Sequence, residues 1–205
     1  MLPRYDNDIM KTVVMGWHIL DRMERAVAKV RERLLKASVA LEEAGIDYAV
    51  VGGNAVATWV STVDEEAVRN TRDVDLLIRR SDLPAVASTL ERKGFIQAEV
   101  LGVVMFLDGP EGKPSAAIHL LFAGEKAQPD HSVANPELIT IKDPAGFRVI
   151  ELEGLVRMKL TSHRDKDRMH IRDLIAVGLL DAAWLPRLPP DLAARLKQIL
   201  DTPEG

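Results

Sequence analysis

Asp73 and Asp75 stand one residue apart, with Val74 between them and the apolar run Leu76-Leu77-Ile78 behind them. Successive side chains of a strand point to opposite faces, so both carboxylates would leave the same face. Side by side without a counter-charge they repel, and one tends to take up a proton; a divalent cation or a solvated strand edge relieves them. Upstream, Gly52-Gly53 closes a second apolar run, Tyr48-Ala49-Val50-Val51, and leads into Asn54. A strand, a glycine turn and a helix start, in that order, gather backbone N–H groups around a phosphate. Two glycines admit phosphate oxygens with no Cβ in the way, and the Asn54 amide at the helix start is a further donor. Arg69 and Arg72, just ahead of the acidic pair, are placed to contact phosphate. The alternatives are a tight strand-to-helix turn at the glycines and a solvated strand beginning at the aspartates.

The elements that would position these groups follow from periodicity. Met23, Val27, Val30, Leu34 and Leu41 recur at helical spacing, predicting one amphipathic helix from about Asp21 to a stop at Gly45. Ile46–Val51 reads as a buried strand, Asn54–Val60 as a short helix and Asp73–Ile78 as the carboxylate strand. Leu83, Val86 and Leu90 predict a helix ending at Gly94. Val103–Phe106 and Ala116–Phe122, around the turn at Gly109-Pro110-Glu111-Gly112, read as a hairpin added to the same sheet. Residues 128–146, rich in proline and aspartate, read as irregular. Helices are predicted over about 151–162, 167–179 and 191–200, the last pair punctuated by Pro186, Pro189 and Pro190. The plan is α+β: a small mixed sheet with flanking helices over 46–150, an N-terminal helical segment over 1–45 and a C-terminal helical region over 151–205. The stripe Ile9, Val13, Trp17, Leu20 and Met23 is expected to be core or oligomer surface.

At 205 residues and 47% hydrophobic content the chain can bury a core of its own. With no apolar run of the roughly 20 residues a bilayer span requires, and no basic-then-apolar leader, a cytoplasmic protein without a membrane partner is expected. The absence of cysteine excludes disulfides and thiolate metal sites, and a net charge of −4 argues against a broad nucleic-acid-coating surface.

Tyr48-Ala49-Val50-Val51-Gly52-Gly53-Asn54-Ala55 followed by Thr71-Arg72-Asp73-Val74-Asp75-Leu76-Leu77 resembles the paired signature of the DNA polymerase β-like nucleotidyltransferases. Within them it is most similar to the bacterial minimal nucleotidyltransferases that include the AbiEii-type toxins. The resemblance covers roughly residues 47–173. It implies magnesium-dependent transfer of a nucleotidyl group from ATP or another nucleoside triphosphate to a hydroxyl on RNA such as tRNA, on a protein or on a small molecule. Asp73 and Asp75 would hold two magnesium ions, Gly52, Gly53 and Asn54 the phosphates. A toxin–antitoxin or defence role, with an antitoxin or a second copy as partner, is the further implication.

Three departures from that pattern matter. The gap from Gly53 to Asp73 is long, so 61–70, with Asp64, Glu65 and Glu66, forms an inserted loop or helical turn that either folds over the nucleotide or is only a solvated surface. Where many such proteins carry a third carboxylate, the strand Ile118-His119-Leu120-Leu121-Phe122 offers His119, which could ligate metal, accept a proton or simply pair with a neighbour. Asp108, on the other hairpin arm, is the fallback third acid. In the C-terminal region the resemblance assigns Lys159 and Asp167 to the active site, and puts His170 where another acid is common. Spacing from Leu152 and Leu155 places Lys159 on the inward stripe of its helix, where it needs an anion: triphosphate, or an aspartate. His163, Asp167 and His170 would form a metal grouping only if one helix ran through them.

Overall fold

A computed structural model describes residues 7–202, with side-chain surroundings from His18 onward. Helix α1 (Asn7–Glu43) begins earlier than periodicity predicted and ends at Gly45, whose φ of +65° is the left-handed stop that glycine provides. Strand β1 (Ala49–Val51) runs directly into α2 (Gly52–Ser61). Strand β2 (Val74–Ile78), helix α3 (Leu83–Arg92) and strands β3 (Phe95–Val100), β4 (Val103–Asp108) and β5 (Ile118–Phe122) follow. The chain then forms β6 (Thr140–Lys142), β7 (Arg148–Ile150), α4 (Leu152–Ser162), α5 (Asp165–Ala176) and α6 (Pro190–Asp201). No helix among the described residues is long and apolar enough to cross a membrane.

The seven strands form one mixed sheet in the order β3-β4-β5-β2-β1-β7-β6. Two corrections to the sequence reading lie at its edges. Strand β4 pairs with β5 as expected, but it also pairs with β3, an outer strand whose Ile96, Gln97, Glu99 and Val100 are exposed. Within 128–146, expected to be irregular, Thr140–Lys142 forms β6 and opens the β6–β7 hairpin, with β7 parallel to β1. An edge strand has one partner and at least one wet face, so it lacks the apolar alternation that announces an inner strand.

At the centre, β1 lies antiparallel to β2 and β2 parallel to β5. The register sets Val51 opposite Asp75 and Asp75 opposite His119, so these side chains share a face. Ile118, Leu120 and Phe122 point to the other, buried face, while His119 and Leu121 stay half-exposed. Asp108 lies on the Phe106 side and is held by Arg33 at 3.6 Å and Lys36 at 3.8 Å, both on α1. The fallback third acid is therefore spent on packing α1 against the sheet.

One hydrophobic core runs from Val30 on α1, through the sheet, to Ile199 on α6. Arg148 on β7 fastens the end of α1 by binding Glu42 at 2.8 Å and Asp47 at 2.8 Å. The α1 stripe divides sharply: Val30, Leu34, Ala37 and Leu41 are buried, whereas Leu20 and Met23 are 52% and 58% exposed. Ile9, Val13 and Trp17 lie outside the residues whose side chains are described. Leu41→Ala should therefore lower stability by about 2–5 kcal/mol and Met23→Ala change it by no more than about 0.5 kcal/mol, as read from urea unfolding. Equal effects would mean that the exposed part of α1 is packed in solution.

Candidate active site

The carboxylates are seated by their neighbours. Asp73, immediately before β2, has its carbonyl held by the Asn54 side-chain amide at 2.8 Å and its carboxylate by the Thr71 hydroxyl at 2.7 Å. Burial would raise the Asp73 pKa, but the Thr71 hydroxyl and the Lys166 ammonium outweigh it and keep the group below its ordinary value. Asp75 reaches back against the start of α2. Gly52 has φ +68°, and a Cβ there would sit 1.9 Å from Asp75 Oδ2. A Cβ on Gly53 would lie 2.8 Å from Thr71 Oγ1. The diglycine thus makes room for the carboxylate pair and its hydroxyl support, a role that the sequence reading, which gave the glycines to phosphate, did not foresee. The same helix start carries no side-chain cap, which leaves its N–H groups open to an anion.

His119 completes the cluster. One ligand atom from each of Asp73, Asp75 and His119 lies within 4.8 Å of the others, the one such grouping among the described residues. His119 Nε2 is 3.0 Å from the Pro114 carbonyl, which can only accept, so Nε2 carries the hydrogen. In the neutral ring Nδ1 then keeps its lone pair, 3.5 Å from Asp75 Oδ1. The hydrogen bond to Asp75 raises the His119 pKa against the opposing effect of burial. Two carboxylates and an imidazole fit a divalent cation by donor type.

The opposite wall comes from α4, α5 and the turn between them. His163, with φ +49°, ends α4 in the left-handed region and redirects the chain, so no continuous helix runs through His163, Asp167 and His170. That break rules out the metal grouping considered for the three. His170 is buried and neutral: burial first, and then Lys159 and Lys166, push its pKa down to about 4. Asp167, 1% exposed, accepts from Lys159 Nζ at 3.1 Å and from Arg164 Nε at 2.7 Å. Burial opposes its ionisation, yet Arg164, Lys159 and Ser162 together pull its pKa down to about 2. Burial lowers the pKa of Lys159 more than its shared aspartate raises it. Two cations divide one carboxylate here, and Lys159 remains short of negative charge. Lys166 completes the wall, with Nζ 3.5 Å from Asp73 Oδ1.

These walls enclose an open cleft of about 690 Å³ lined by Gly52, Asp73, Asp75, His119, Lys159, Arg164, Lys166 and Asp167. Other expected site residues lie elsewhere. Gly53 and Asn54 support the carboxylates from behind and do not line the cleft. Arg69 binds Asp173 on α5 at 2.8 Å, Arg72 is exposed, and neither lines it. The inserted segment packs Ala67 and Val68 on the core and leaves Asp64, Glu65 and Glu66 exposed away from the cleft, so it is surface and not a cover. Arg164 and Lys166 also line the cleft, although their place in the sequence did not single them out. The signal available for Arg164 was its i, i+3 spacing to Asp167 at the start of a helix.

No family model matches the chain, and no curated protein sequence does. Solved structures do. The solution structure of the antibiotic-resistance factor ANT(2″)-Ia aligns with a TM-score of 0.53 at 14% identity, over 86% of this chain and 93% of that one. The crystal structure of ANT(2″)-Ia in complex with adenylyl-2″-tobramycin gives 0.52 at 15% identity, over 83% and 98%. An antigenic nucleotidyltransferase-like protein from Paracoccidioides brasiliensis gives 0.50 at 20% identity, over 83% and 89%. At such identities the likeness establishes a nucleotidyltransferase fold.

Two outcomes follow from the geometry. Gly52→Ala should cost roughly 1–3 kcal/mol in chemical denaturation, because its Cβ meets the Asp75 carboxylate and its backbone stays left-handed; an unchanged midpoint would contradict the close approach. Asp167 has a depressed pKa, so its contribution is present above the unfolded value of 3.8 and is lost as pH falls toward about 2. The stability gap between wild type and Asp167→Asn should narrow by about 2 kcal/mol across that window in acid-titrated unfolding curves.

Proposed function

We propose that the protein transfers a nucleoside monophosphate from a nucleoside triphosphate to a hydroxyl acceptor. The observation that carries this reading is the convergence of Asp73, Asp75 and the open start of α2 on one cleft wall with Lys159, Arg164 and Lys166 on the other. The nucleotidyltransferase fold supports it. Asp73 and Asp75, with His119 beside them, would hold the divalent cation, magnesium in the polymerase β-like resemblance. Such a cation neutralises developing charge on the attacking and leaving oxygens.

The chain's own groups account for the rest of the reaction. The acceptor oxygen bonds to the α-phosphorus as the bond from that phosphorus to the bridging oxygen of pyrophosphate breaks. The Gly52 end of α2, Lys159 and Arg164 receive the triphosphate charge, which meets the deficit that Asp167 leaves unfilled. Both oxygens of Asp167 are engaged by Lys159 and Arg164, which makes it a poor proton acceptor. Asp167 is a positioning residue for Lys159 and Arg164. The acceptor proton goes to solvent in the open cleft or to His119 Nδ1.

The acceptor is RNA, a protein or a small molecule; the motif resemblance to AbiEii-type toxins supports a defence role with an antitoxin partner. A second reading, a nucleotide-binding protein without catalysis, is favoured by the imidazole at 119 in place of a carboxylate. Label from α-labelled nucleoside triphosphates should enter a component of cell extract with the wild type, and fall at least about 10³-fold with the Asp73→Asn, Asp75→Asn double variant. Equal labelling sinks catalysis at this site, whereas calorimetric binding without labelling supports the second reading. Lys159→Met should weaken triphosphate binding by about 10–100-fold, since a charge-assisted contact contributes about 1.5–3 kcal/mol.

A further inference from the structure

His119 occupies a place that backbone pairing fixes, opposite Asp75 in the parallel β2–β5 register. Its ring is set by the bond from Nε2 to the Pro114 carbonyl at 3.0 Å, supplied by the short turn Pro114–Ala116 just ahead of β5. A hydrogen-bond acceptor on one ring nitrogen, with the other turned to carboxylates, is how proteins orient a histidine for a metal. Nδ1 lies 3.5 Å from Asp75 Oδ1 and within the cluster that includes Asp73. The lone pair can take the acceptor's proton or hold a cation, not both at once. Its donor type bears on which cation: magnesium favours oxygen ligands and retains its waters, whereas imidazole suits first-row transition ions.

We propose that His119 is a nitrogen ligand that tunes the Asp73–Asp75 site toward a divalent transition-metal ion and away from magnesium. The inference rests on the metal-binding reading of the cleft given above, and it adds the residue that sets selectivity. Replacing the imidazole by a carboxylate restores an all-oxygen set and one more negative charge, so His119→Asp should move preference back to magnesium. With the lone pair committed to the cation, the acceptor's proton leaves to solvent.

The test uses untagged protein and Mn²⁺ as probe, with and without a non-hydrolysable triphosphate. Electron paramagnetic resonance counts free Mn²⁺ while Mg²⁺ competes, and pulsed measurements detect ¹⁴N coupling to bound Mn²⁺. Wild type should show nitrogen coupling that disappears in His119→Gln, His119→Asp and Asp75→Asn. Its Mn²⁺-over-Mg²⁺ preference should fall by about tenfold or more in His119→Asp. Bound Mn²⁺ without nitrogen coupling in wild type, or a preference unchanged in His119→Asp, overturns the assignment while leaving the metal site in place. Absence of Mn²⁺ binding in both conditions, or binding indifferent to Asp75→Asn, sinks the underlying site as well.

Discussion

Everything in the cleft depends on how closely β2 approaches the end of β1. Antiparallel pairing sets Asp75 opposite Val51, and the next residue, Gly52, has no room for a side chain because the Asp75 carboxylate fills that space. A strand-to-helix turn that only required flexibility would tolerate a looser packing. Here the missing Cβ brings the carboxylate against the first turn of α2, where the helix also presents its open N–H groups. The carboxylate cluster and the open helix start are thereby brought together at one corner of the sheet. Gly53 and Thr71 repeat the arrangement one residue along and fix Asp73.

The opposing wall completes a balance of charges. Asp73 and Asp75 on one wall face Lys159, Arg164, Lys166 and Asp167 on the other, and the whole cleft is lined by five acidic and five basic residues. Their distribution is uneven: Asp167 serves two cations, while Lys166 partners Asp73. A divalent cation at Asp73 and Asp75 would displace the need for Lys166 and leave the basic wall in excess. A polyphosphate would correct that excess. On the proposed reaction each ligand would create the charge imbalance that the other relieves, and the two would bind with positive coupling.

Much of this was legible in the sequence because it depends on local spacing. Gly52-Gly53, the Asp73/Asp75 alternation, His119 inside an alternating strand and Lys159 on an inward helical stripe are all short-range patterns. What was not legible depends on tertiary partners. Arg69 precedes the acids in sequence but is drawn off by Asp173, 104 residues away. Asp108 sits on the right hairpin but the wrong face, a distinction set by register with β5 and by α1. Arg164 and Lys166 reach the cleft only because His163 takes a left-handed conformation that residue type does not announce. The outer strands β3 and β6 lacked the burial that would have marked them.

Position 119 illustrates how such a frame could change chemistry without changing shape. Register, not side chain, places that residue beside Asp75, so a carboxylate or an imidazole would occupy the same corner. An imidazole gives up one negative charge, and with Lys166 already near Asp73 the corner attracts a bare cation less strongly than three carboxylates would. On the proposed reaction, triphosphate oxygens would supply the charge that the corner lacks. On that reaction a cation held weakly alone and firmly with nucleotide would make occupancy of the site a consequence of triphosphate binding.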